Sequence, residues 1–229
     1  MKNASITLLL CLFLQTGFSQ ELNFEVHGTY SNPISKEKLS AAKTMRDINP
    51  GYPSSSWITA YISSEVSVTG NGKNFKAAGT NDILTTEQQN ILKKAELWND
   101  VVVDIMYKQV NTVTANVENH SMHFVFSLVP ETEAEFVGGY EKLKQHLKQT
   151  AVSKIPSAIA KDFQAAVRFT VNEQGAIAEA KISKSSGDKK TDRLLVEAIN
   201  KMPAWKPAAT SKGIKVKQEF EFSVGNGGC

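Results

Sequence analysis

The sequence predicts an α+β protein in two parts, an antiparallel β-rich half over residues 20–130 and a two-layer α/β unit over residues 131–229. Two observations lead there. Between Ala165 and Val224 the apolar period switches from two to helical spacing and back to two. Upstream, apolar alternation recurs in several separated runs with turn residues between them. Alternation marks a half-buried strand, whereas a stripe at i, i+3 and i+4 marks a helix.

In the C-terminal part, Val167, Phe169 and Val171 alternate with Arg168 and Thr170, which predicts a strand. Asn172-Glu173-Gln174-Gly175 follows as a hairpin loop, with Gly175 free to take positive φ. A second strand over Ala176–Ser183 places Ala176, Ala178, Ala180 and Ile182 on one face. Asp188 is a candidate N-cap for a helix whose stripe is Leu194, Leu195, Ala198, Ile199 and Met202. Pro203 stops it, and Trp205 and Pro207 stiffen the connector. A last strand over Val216–Val224 faces Val216, Phe220, Phe222 and Val224 inward, with Lys215, Lys217, Glu219 and Glu221 outward. Three strands and one helix around a single core make a two-layer unit.

Val167 to Ile177, the Leu194–Met202 helix and Met202-Pro203-Ala204-Trp205-Lys206-Pro207 together resemble the C-terminal domain of TonB-type energy transducers, in the form common in the Bacteroidetes. Pro130-Glu131-Thr132-Glu133-Ala134-Glu135-Phe136-Val137-Gly138-Gly139 is similar to the lead-in often found before that domain. The resemblance spans residues 131–229 and implies a three-stranded antiparallel sheet carrying two helices. It also implies a non-enzymatic role: capture of an outer-membrane transporter's short N-terminal segment, the TonB box, by strand addition.

In the N-terminal part, Leu22–Val26 reads as an edge strand and Ile34–Ala42 as a helix, with Ser35 a candidate N-cap but Lys38 where a capping box wants Glu. Asn49-Pro50-Gly51-Tyr52-Pro53 breaks the chain. Trp57–Val68 is a long strand, turned at Gly70-Asn71-Gly72. Thr85 or Thr86 caps a helix over Glu87–Ala95, Thr86 having Gln89 three residues on. Val101–Tyr107 and His123–Val129 are further strands. Ile34-Ser35-Lys36, Leu84 to Gln89, Val102-Val103-Asp104-Ile105 and His123 to Phe126 resemble the C-terminal β domain of the periplasmic shaft proteins of gliding motility and type IX secretion, although Asn99-Asp100 replaces their usual Gly. A structural or assembly role in such a machine is the alternative function.

Lys2, the apolar run Ile6–Leu14 and Gly17-Phe18-Ser19 form a secretory leader, with cleavage expected after Ser19. Taken with the resemblance to the energy-transducer domain, the leader implies a periplasmic protein, and an association with the outer membrane is what that resemblance adds. Cys11 reads as an ordinary residue of the apolar run and Cys229 as a tail residue after Gly225-Asn226-Gly227-Gly228. No later run reaches the ~18 apolar residues of a membrane span. The net charge of +3, or +2 once Lys2 leaves, is too small to imply nucleic acid. The long Pro-rich spacer of full-length energy transducers is not seen.

No catalytic, metal or cofactor constellation is predicted. His120 and His123 would pair on a metal only if helical, and they precede a strand. Ser185-Ser186-Gly187 lacks the first glycine of a nucleophile elbow and reads as turn chemistry. Asp188 and Asp192 read as helix-dipole partners. The candidate partner-binding residues are Val216, Lys217, Gln218, Glu219, Phe220, Glu221 and Phe222, on the expectation that the last strand is an open edge. Trp205 is a candidate aromatic anchor; core packing is the other, preferred reading of it. A second copy of the chain is a further candidate partner.

Overall fold

The computed structural model describes residues 22–52, 57–70, 72–156 and 164–225 of the 229-residue chain. The leader with Cys11, and the tail at Cys229, lie outside them. In chain order the first elements are β1 (Asn23–Gly28), β2 (Pro33–Ser35), α1 (Lys36–Ala41), α2 (Met45–Ile48), β3 (Ala60–Gly70), β4 (Lys73–Gly79), α3 (Thr86–Lys94), β5 (Asp100–Val110) and β6 (Val117–Val129). Then follow β7 (Glu135–Phe136), α4 (Gly139–Thr150), β8 (Gln164–Val171), β9 (Ile177–Lys184), α5 (Lys189–Asn200), β10 (Trp205–Lys206), β11 (Ala208–Ala209), β12 (Lys215–Val216) and β13 (Gln218–Gly225).

The N-terminal half is a five-stranded sheet in the order β2-β6-β5-β3-β4. All its pairs are antiparallel except β2 with β6. Val66, Val68, Val101, Val103 and Ile105 face a core closed by Leu39, Met45 and Leu92 from the three helices. Ser35 caps α1 through the Lys38 N–H, as predicted. The capping box of α3 is Thr85 with Gln88, one residue earlier than Thr86 with Gln89. Buried Gln88 accepts from Thr85 N at 2.9 Å and donates to Ser64 O at 2.9 Å, tying helix to sheet. The expected strand from Trp57 begins instead at Ala60, and its register shifts between Tyr61 and Ser63. Ile62 is the extra, bulged residue, so strict alternation fails there.

The C-terminal sheet has the order β1-β13-β8-β9, antiparallel throughout. Val167, Phe169, Val171, Phe220, Phe222 and Val224 point to one face, where Leu143 and Leu147 of α4 and Leu195 and Ile199 of α5 cover them. Asp188 caps α5, accepting from Thr191 N. The opposite face carries the half-exposed Arg168, Thr170, Glu219 and Glu221. This is the two-layer unit that the alternation predicts, with one correction. The sheet has a fourth strand, β1, drawn from the residues assigned to the N-terminal half. Phe24 and Val26 alternate with Glu25 and His27, and pair opposite Val224 and Phe222. The β-rich half is thus inserted between the first strand of the C-terminal sheet and the rest of it.

Candidate functional site

The side of the sheet formed by β13 and β1 is where the predicted residues gather, but it is not open. β13 has β8 on one flank and β1 on the other, in unbroken register from Asn23↔Gly225 to Gly28↔Phe220. The expected free rim on the last strand is therefore corrected: the chain's own β1 fills it. The physical reason is complementarity, since β1 offers alternating apolar residues that extend the core face, Phe24 meeting Phe222 edge-on at 6.3 Å.

The predicted strand also divides. Val216 is half-buried and pairs with Ala208, Lys217 is exposed between strands, and only Gln218 onward joins the sheet. Gln218 is buried; its amide oxygen accepts from Ala134 N at 2.7 Å, and Nε2 donates to Glu133 Oε2 at 3.1 Å. Phe220 and Phe222 are core. Glu219 accepts from Thr29 Oγ1 at 2.9 Å, and Glu221 from Ser183 Oγ at 2.9 Å. Arg168 lies between them, with Nε 3.7 Å from Glu219 Oε1 and Nη2 3.5 Å from Glu221 Oε2. At 3.7 Å the Nε contact is an ion pair without a hydrogen bond, and that atom is buried with no such partner. Trp205 is 5% exposed, enclosed by Phe136, Phe169 and Phe220 at 5.6, 5.9 and 5.1 Å, so it is core and presents no surface anchor.

β1 is the strand that sequence reasoning placed in the wrong half. None of its six residues is fully buried. Thr29 N donates to Glu219 O at 3.3 Å. Antiparallel alternation then turns the backbone groups of Asn23, Glu25 and His27 toward β13, and those of Phe24, Val26 and Gly28 outward. At the far end a concavity of about 560 Å³ opens among Glu25, His27, Gln164, Lys184, Glu221 and Ser223. The opposite edge, β9, is irregular: Glu179 has φ of 56° and the β8–β9 register shifts twice. Such bulges blunt an edge against added strands.

The remaining candidates resolve locally. Asp192 accepts from Ser185 Oγ, Ser186 N and Ser186 Oγ at 2.6, 2.8 and 2.6 Å, a closed turn. Burial opposes charge on Asp192, but these hydrogen bonds outweigh it and hold its carboxyl below the usual range. Hydrogen bonds from Thr191 do the same for Asp188. His120 and His123 lie on strand β6, where residues three apart face opposite ways. His120 stacks on Tyr107, while His123 Nδ1 sits 2.6 Å from Asp104 Oδ1. Among the described residues no group of three metal-binding side chains occurs, and no helix is long and apolar enough to cross a membrane.

Residues 140–223 match the family described as TonB C terminal. The matched segment runs from α4 to β13, so β1 and the inserted β-rich half fall outside it. No curated protein and no solved structure matches the chain.

Proposed function

We propose, from the TonB C-terminal match over residues 140–223, that this chain is an exported, non-catalytic protein of the periplasm that binds other proteins. Its partner is an outer-membrane transporter or a neighbouring envelope protein, which docks an extended segment on the β1–β13 side of the C-terminal sheet. What supports that side is one contrast. The β1–β13 pairing is unbroken over six residues, whereas the β9 edge is bulged at Glu179. Strand addition needs consecutive, regularly spaced backbone groups, and side-chain alternation then supplies selectivity. The row Glu219, Arg168 and Glu221 gives the open face beside it a mixed charge that discriminates between partners.

A photo-reactive residue placed in cells at Glu25 or at Ser223 tests this. Both lie on the open face of the favoured side. An adduct to an outer-membrane protein from either position, and none from Glu179, is expected. Equal adducts from all three positions, or none from any, would overturn the reading.

A further inference from the structure

We infer that β1 is an internal ligand of the β13 edge, and that a partner segment binds by replacing it rather than by pairing outside it. This rests on the proposed function and specifies the partner's chemistry. The segment is an extended peptide antiparallel to β13, with apolar side chains at i, i+2 and i+4 in the positions of Leu22, Phe24 and Val26.

Three observations carry the inference. First, the strand being covered is far better buried than the one covering it. Phe222 is fully buried and Val224 and Phe220 nearly so, while β1 alternates exposed and half-buried residues throughout. The groove is thus built by β13 and β8, and β1 lies on it as a ligand would. Second, the chain is pinned immediately after β1. Thr29 bonds Glu219 through both backbone and side chain, Tyr30 Oη donates to Glu133, and Asn32 Nδ2 donates to Val125 O at 2.9 Å. Ser31 N donates to Ser127 Oγ at 3.2 Å. These contacts leave the crossover in place if β1 lifts away.

Third, β1 ends at a close contact: a Cβ at Gly28 would fall 2.0 Å from the Tyr30 ring, so the absence of a side chain there lets the strand run directly into the pinned segment. Release of Asn23–Gly28 would expose the inward-paired backbone groups of Glu221, Ser223 and Gly225 and the edge of Phe222, while Thr29 keeps Glu219. Those are the groups an incoming strand needs. The two strands compete for one set of partners, so apparent affinity scales with the fraction of molecules in which β1 is off.

The probe is a labelled synthetic peptide of residues 22–29, with a Phe24→Ser/Val26→Ser peptide as control, added to the leaderless chain carrying Cys229→Ser. Two further changes are made in that background. Phe24→Ser with Val26→Ser loosens β1. Glu25→Cys with Ser223→Cys locks it, since facing strand residues lie within disulfide reach. The loosened protein is expected to bind the probe on the order of tenfold more tightly than its parent. The oxidised lock should bind none, and reduction should restore parental binding. Equal binding to the oxidised and reduced lock would overturn the inference, because the peptide would then be adding outside β1. So would a loosened protein that keeps a cooperative thermal transition yet gains no affinity. An outer-membrane adduct that persists in the oxidised lock defeats replacement and leaves the proposed function standing. Lock-controlled peptide binding with no adduct in cells defeats the proposed function alone.

Discussion

Trp205 stands where the rings of Phe136, Phe169 and Phe220 meet, and its Nε1 has no hydrogen-bond partner among the described residues, so packing holds the indole ring. Gly175 fixes its backbone. The Trp205 N–H donates to Gly175 O at 2.7 Å, and a Cβ on Gly175 would fall 2.0 Å from Trp205 O. With φ of 79° as well, Gly175→Ala meets strain and collision together. It should cost at least about 1–2 kcal/mol from the backbone alone, read as an earlier denaturant midpoint at unchanged slope. An unmoved midpoint would show that the β8–β9 loop does not hold the connector. His146, beside Phe136 at 6.0 Å, has its pKa lowered by burial. The unfolded chain then takes the proton first, so protonation favours unfolding. Stability should be complete above the ordinary imidazole range and fall as pH drops through it. His146→Leu should remove that part of the slope of melting temperature between pH 7.5 and 5, and an identical slope in both proteins would refute the assignment.

At the scale of elements, what the sequence discloses is local. Alternation over 167–171, the helical stripe to Met202 and the hairpin at Gly175 all depend on neighbours within a few residues, and each stands where its pattern places it. The Trp205 environment was half legible, because an aromatic residue between two prolines fits a core and an anchor equally until burial is known. Sheet membership is a different kind of fact. Leu22–Val26 is legible as an edge strand from its alternation, but nothing in that alternation says which sheet it borders. Its partner lies far along the chain, Thr29 and Glu219 being 190 positions apart. The β13 edge was misjudged for that same reason. The shift at Ile62 and the turn of φ at Glu179 were hidden too, since neither is a glycine and no residue type announces them.

The insertion of the β-rich half gives the molecule two crossings between its sheets, Thr29–Asn32 and Pro130–Ala134. Glu131, within the second of them, ties the two parts together, its carboxylate accepting from Glu37 N of α1 at 3.0 Å and from Ser211 N at 2.9 Å. Residues 131–229 on their own accordingly lack the strand that covers β13. Produced alone, this segment presents one unpaired regular edge above Phe222 and Val224, the arrangement that pairs with other chains. It should self-associate in size-exclusion chromatography with light scattering, and the peptide of residues 22–29 added in trans should return it to monomer. A segment that is monomeric without the peptide and melts with the full chain would show that β1 contributes nothing to closure. The same segment separates the two functional readings of the whole protein. If it still captures an outer-membrane protein, in the presence or absence of the peptide, partner choice resides in the part that matches the TonB C-terminal family. If capture travels instead with residues 20–130, the inserted half is the working surface, and the C-terminal sheet serves to hold it at both ends.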